Sequence, residues 1–148
     1  MTPLRVPIVA LSSSELQPPA YFSAGAAGMD LSAAGPEPVV IAPGGFQLIP
    51  CGFAVAIPAG FEGQIRPRSG LASRHGVTVL NAPGTIDSDY RGELKVLLIN
   101  LGADAFTVVT GMRIAQLVIS PVARVEWEPT AALPDSDRGV GGFGHTGA

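Results

Sequence analysis

Apolar residues in this chain come in short runs broken by glycine and proline, not in the long 3.6-residue pattern of amphipathic helices. The runs Val39–Ile41, Phe46–Ile49, Phe53–Ile57, Val77–Leu80, Glu93–Leu101, Phe106–Val109 and Ile114–Val125 are rich in residues that suit strands. Apolar and other positions alternate in Gly52–Ile57 and in Leu94–Leu98, as in half-buried strands. Pro43-Gly44-Gly45, Pro58-Ala59-Gly60 and Asn100-Leu101-Gly102 read as turns. Many short strands with regular turn signals predict an all-β fold, an antiparallel sandwich or jelly roll. Only Ser69–His75 has the composition of a helix, of one or two turns. At Glu128–Ala148 apolar periodicity stops and Pro, Asp, Gly and Ser dominate, which divides the chain into a body (1–128) and a flexible C-terminal tail (129–148).

Composition adds one constraint on assembly. Of 148 residues 47% are hydrophobic but only 14% are charged, against roughly 25% in an average soluble protein. Too few charges remain to coat a large free surface, which favours an oligomer. The net charge of −3, without a basic run, gives no support for binding nucleic acid, although a few placed arginines suffice for a small phosphorylated ligand. The lone Cys51 can form neither an internal disulfide nor a metal site by itself and reads as a buried apolar residue in a reducing compartment. No apolar run approaches the roughly 20 residues of a membrane span. Met1 to Ala10 lacks the pattern of a secretion signal, so a cytoplasmic location is expected.

Four segments carry polar groups at turns or strand ends. In Ala27-Gly28-Met29-Asp30-Leu31 the aspartate, taken in isolation, reads as an Asx-turn residue. Arg68-Ser69-Gly70 opens the short helix; it is equally well an anion site, with a guanidinium and a hydroxyl beside unpaired N–H groups, or ordinary N-capping by Ser69. Asn81 through Glu93 is longer and more polar than a tight hairpin needs, and its amide, aspartate and aromatic ring could converge on one small molecule. The tail contains Arg138-Gly139-Val140-Gly141-Gly142-Phe143-Gly144, with an arginine suited to polyphosphate and a phenyl ring suited to stacking on a base. Taken alone, a disordered tail explains that segment slightly better than a lid does. His75 and His145 lack the spacing of a metal site, and no serine–histidine–acid arrangement is present.

Taken together and in order, these segments resemble the trimeric dUTPase family. Its five motifs stand here as Ala27-Gly28-Met29-Asp30-Leu31, Pro67-Arg68-Ser69-Gly70-Leu71-Ala72, Gly84-Thr85-Ile86-Asp87-Ser88-Asp89-Tyr90-Arg91-Gly92-Glu93, Arg113-Ile114-Ala115-Gln116-Leu117 and Arg138 to Gly144. Each is weak alone, but five in sequence from about residue 20 to the C-terminus are specific.

The resemblance implies a distorted jelly-roll, β-clip subunit of a homotrimer whose chains share each active site, with the tail as a closing arm. It implies hydrolysis of dUTP to dUMP and pyrophosphate by water attack at the α-phosphorus, which limits uracil incorporation into DNA and supplies dUMP for dTMP synthesis. Asp87 corresponds to the aspartate that activates the water, and a carboxylate in hydrogen-bond reach is a competent general base. Tyr90 corresponds to the ring against deoxyribose that leaves no room for a 2′-hydroxyl. Asn81 and the hairpin backbone at Gly84, Thr85 and Ile86 correspond to the groups on the uracil edge, where a fixed acceptor for N3–H rejects cytosine. Arg68, Ser69, Gly70 and Gln116 correspond to phosphate contacts, Arg138 to the arm's arginine on the γ-phosphate, and Gly142 and Phe143 to the stacking lid. Asp30 corresponds to the acid that holds Mg2+ through water, the ion's direct ligands being phosphates. His145 stands where the family usually has serine, and Thr146 is an alternative source of that hydroxyl.

Two rival readings fit these residues less well. A dCTP deaminase, or a bifunctional deaminase–diphosphatase, needs a catalytic glutamate where this chain has Leu97. A non-catalytic relative acting as a sensor has no need of the retained Asp87.

Overall fold

Glu93–Asn100 shows how the chain builds its core. Leu94, Val96, Leu98 and Asn100 are buried, while Glu93, Lys95, Leu97 and Ile99 turn to the other face, the two-residue period of a strand. The computed structural model describes residues 3–11 and 16–143. In chain order these form β1 (Ile8–Ala10), β2 (Met29–Ser32), β3 (Val39–Ile41), β4 (Phe46–Val55), β5 (Phe61–Pro67), α1 (Ser69–His75), β6 (Val77–Val79), β7 (Gly84–Ile86), β8 (Glu93–Asn100), β9 (Phe106–Val108) and β10 (Arg113–Pro121). Two four-stranded antiparallel sheets, β1-β4-β8-β6 and β2-β10-β5-β7, lie with a two-stranded ribbon β3-β9. The expected all-β fold is what the chain adopts.

Leu31, Ile41, Ile49, Ile65, Val77, Leu94, Val96, Leu98, Ile114 and Leu117 belong to one continuous core drawn from both sheets and the ribbon. Full burial of each such side chain contributes roughly 1.5–3 kcal/mol. Asn100 is the polar member of this interior. Its amide donates to the carbonyls of Ile41 (2.9 Å) and Asp104 (2.8 Å), and its Oδ1 accepts from the Gly102 N–H (2.9 Å). One side chain thus ties β3, the end of β8 and the following turn together, with every polar atom satisfied.

Several elements depart from the sequence reading. Phe46–Ile49 and Phe53–Ile57 belong largely to one strand, β4, whose register against β8 slips between Pro50 and Ala54. Gly52 lies at the slip with φ 77°, a left-handed conformation that favours glycine. Its N–H donates to Glu93 Oε1 (2.9 Å). Gly52–Val55 is buried throughout and does not alternate in exposure as expected. The run Ile114–Val125 stops as a strand at Pro121, beyond which Val122–Val140 is exposed and carries no strand or helix. Strands β1, β2, β5 and β7 fall outside the runs that the sequence marks as strands. The helix falls on the expected residues, and Gly76 closes it at φ 66°. No helix among the described residues is long and apolar enough to cross a membrane.

Candidate active site

Among the described residues Asp30 is the one charged residue that the fold buries, and it centres a polar cluster. It lies on β2 at 8% exposure, opposite Gln116 of β10. Gln116 Nε2 donates to its Oδ1 (3.1 Å), Arg113 Nη1 to its Oδ2 (3.0 Å), and Arg68 Nη2 lies 3.5 Å from the same oxygen. Arg68 Nη1 also donates to the Arg113 carbonyl (3.1 Å). A buried carboxylate needs such partners to offset its desolvation. Asp30 is therefore a strand residue gripped by three side chains, not the Asx-turn residue suggested by its short segment.

Residues 113 and 116 would face opposite sides of a regular strand. The β2–β10 register shifts between Arg113 and Ala115, so that Arg113 pairs with Ser32 and Ala115 with Leu31. The extra residue, Ile114, is buried beside Ala115. This bulge returns Arg113 to the face of Gln116, and both reach one carboxylate. The sequence points to no role for Arg113, because the bulge is not visible there. Its guanidinium also lies over the Phe22 ring, 4.7 Å from the centroid.

Arg68 reaches this cluster because it precedes α1 in an extended conformation (φ −90°, ψ 125°), where β5 ends. It occupies the N-cap position and makes no side-chain cap bond. Ser69 is the first helical residue and is exposed, so the capping alternative is not realised. A side chain at Gly70 would meet only open space.

The hairpin lies at the edge of the same sheet. There β7 pairs with β5 through Gly84↔Ile65, Thr85↔Gln64 and Ile86↔Gly63. A Cβ at Gly84 would come within 3.3 Å of Asn81 Nδ2, so the glycine makes room for that amide. After β7 the chain turns, with Tyr90 N–H donating to Asp87 O (3.1 Å) and Arg91 Nη1 to the carbonyls of Ser88 (2.7 Å) and Tyr90 (2.8 Å). Tyr90 Oη donates to Glu93 O (2.9 Å). Asp87 is exposed at a cavity of about 670 Å³ lined also by Glu62, Ser88, Asp89 and Arg124. Arg124 and Glu62 went unnoticed in the sequence, which offers no spacing that links them to Asp87.

The tail residues stand apart. Arg138 Nε donates to Gly141 O (2.8 Å) inside its own turn, and Phe143 is fully exposed at φ 50°. Gly142 is half-buried. Thus Asp30, Arg68 and Gln116 come together within one chain, Asn81, Gly84 and the Asp87–Tyr90 turn form a second group, and Arg138 and Phe143 join neither. His145 and Thr146 lie outside the described residues.

The sequence model of the dUTPase family matches residues 14–147. The deoxyuridine 5'-triphosphate nucleotidohydrolase of Rhizobium etli is 57% identical over 99% of this chain and 96% of its own length. Among solved structures, a mutant dUTPase of Staphylococcus bacteriophage 80alpha with dUpNHpp superposes with TM-score 0.87 at 26% identity, covering 97% of this chain and 99% of that one. A mutant dUTPase of phage phi11 of S. aureus, in which a structural Mg(II) ion is coordinated, shares the fold at TM-score 0.77 and 23% identity, over 87% of this chain and 98% of that one.

Proposed function

The chain belongs to the dUTPase family, and from that premise we propose how its own residues carry out the reaction. It hydrolyses dUTP to dUMP and pyrophosphate. The observation that carries the site assignment is the convergence on Asp30 of three side chains from two separated segments, Arg68 before α1 and Arg113 and Gln116 on β10.

In this reading water attacks the α-phosphorus, and Asp87 orients it and takes its proton. An exposed carboxylate at the mouth of a large cavity can reach both water and substrate. Arg68, Ser69, Gly70 and Gln116 bind phosphate oxygens, where charge-assisted bonds are strongest. Asn81 with the backbone of Gly84, Thr85 and Ile86 holds the uracil edge, and Tyr90 forms the wall against the sugar. Catalysis then comes mainly from positioning and charge neutralisation.

Among the described residues no group of three or more His, Cys, Asp or Glu comes together to cage a metal. Asp30 already accepts from Arg113 and Gln116 and faces Arg68. That donor set suits an outer-sphere role, in which Asp30 would hold a Mg2+ ion through water. When bound, the ion neutralises triphosphate charge and holds the phosphates in one arrangement.

The active form is proposed to be a homotrimer in the cytoplasm, with residues 1–128 as body and 129–148 as an arm that closes over a neighbour's site. Two features support sharing between chains. Phe46 and Leu48 pair with Ile99 and Leu97, and the apolar face they form on the outer side of their sheet leaves Phe46 58% and Leu48 55% exposed. Arg138 and Phe143 need a body to close upon.

Pyrophosphate release from dUTP, dCTP, dTTP and UTP, each with and without magnesium, tests the substrate assignment. Release from dUTP alone, stimulated by magnesium, is expected, and ammonia from dCTP would overturn it.

A further inference from the structure

The Tyr90 ring does not stand free in the hairpin. Its hydroxyl donates to the Glu93 carbonyl (2.9 Å), and its ring lies across Gly92. A Cβ built on Gly92 would sit 2.6 Å from Tyr90 Cζ and 3.0 Å from Cε2, and closer still to Oη. Gly92 is not among the glycines with positive φ. Its backbone would therefore accept a side chain, and the ring is what excludes one. The main chain beyond this seat is anchored as well, because Glu93 Oε1 accepts from the Gly52 N–H at the irregularity in β4.

We propose that Gly92 is a specificity-positioning residue: its bare Cα and the Glu93 carbonyl form a seat that sets where the Tyr90 ring stands, and hence how closely the site admits a ribose 2′-hydroxyl. This rests on the reading of Tyr90 as the sugar wall. The ring is the movable partner in the clash, since it ends an exposed side chain whereas Gly92 is main chain. A methyl group at position 92 displaces the ring while leaving the core untouched. The signature is thus a change in discrimination between dUTP and UTP, without a matching loss of stability.

The test measures kcat/KM for dUTP and for UTP in the wild type, Gly92→Ala, Tyr90→Phe and Tyr90→Ala, with Tm recorded for each. Gly92→Ala is expected to lower the dUTP/UTP ratio by about tenfold or more, the scale of a lost pocket contact, with Tm within a few degrees of wild type. Tyr90→Phe keeps the ring but cannot donate to Glu93 O, and it is expected to lower the ratio by a smaller factor. Should Gly92→Ala fold poorly, Tyr90→Phe decides, and an unchanged ratio in it overturns the seat. If Tyr90→Ala collapses the ratio while Gly92→Ala and Tyr90→Phe keep it, the seat is wrong and the sugar-wall reading stands. If Tyr90→Ala also keeps the ratio, both fall.

Discussion

Arg113 donates to Asp30 across β2 and β10 at 3.0 Å, and it does so only because a bulge at Ile114 turns it to the face of Gln116. Asp30 therefore draws on the same two groups, Arg68 and Gln116, that are proposed to bind phosphate. In that reading the carboxylate orders these donors before substrate arrives, and Arg113 shares its charge with them. Preorganisation of this kind lowers the cost of binding.

Removing Arg113 should shift that balance. In Arg113→Ala, Asp30 retains Arg68 and Gln116 and holds them more tightly, so KM for dUTP is expected to rise more than kcat falls. Arg113 is partly solvent-exposed, with a side-chain exposure of 45%, which weakens the pair by screening. The expected penalty is about 1 kcal/mol, or about fivefold in kcat/KM. Steady-state kinetics check this, and a kcat loss at unchanged KM would place Arg113 on the reacting phosphate instead.

Asp87→Asn preserves shape and removes the proton acceptor. Binding of a non-hydrolysable dUTP analogue is expected to stay near wild type, while kcat falls by about 10²–10⁴-fold. Calorimetry and single-turnover measurements separate the two. Near-normal turnover in this variant would show that another group activates the water.

Truncation before Arg138 removes an exposed segment that carries no strand or helix. Efficient hydrolysis is expected to disappear while the body keeps its Tm and its association state in analytical ultracentrifugation. Loss of association would show that the tail builds the assembly and does not merely close over it.

Burial, aided by the nearby Glu93 carboxylate, pushes the Cys51 thiol up from 9.0 to about 12. Below about pH 9 the thiol is protonated in folded and unfolded chains alike, and stability does not depend on it. Between about pH 9 and 12 the unfolded chain gives up this proton while the folded chain keeps it, so stability falls as pH rises. The loss is about 1.4 kcal/mol per pH unit. Urea unfolding at pH 9.5 and 11 is expected to show about 2 kcal/mol more destabilisation in wild type than in Cys51→Ala. Parallel slopes would mean that the thiol titrates alike in both states.

The legible parts of this chain were those whose local signal agreed with their tertiary surroundings. Val39–Ile41 is strand β3 to the residue, and Ser69–His75 is α1, because Gly76 supplies the left-handed stop. Phe61–Pro67 was not legible. Its inner face is only Phe61, Gly63 and Ile65, and position 63 is glycine because a Cβ there would run into Ile57, Leu117 and Ile86. Met29–Ser32 is short and carries an acid, while the exposed Ile8–Ala10 is held by its pairing with Phe53–Val55. Such strands exist because a neighbour offers hydrogen bonds, and a single segment does not encode its neighbour.

By itself the sequence determined the all-β class, the short helix, and the identity and order of five motifs, since strand periodicity, turn residues and motif chemistry are local properties. The tertiary structure alone decided which of those residues meet. A one-residue bulge brings Arg113 to Asp30, a register places Gln116 opposite the same carboxylate, and a missing Cβ at Gly92 gives Tyr90 its seat. Each depends on strand pairing or a close approach between segments, set by long-range hydrogen bonds and packing that no local pattern carries.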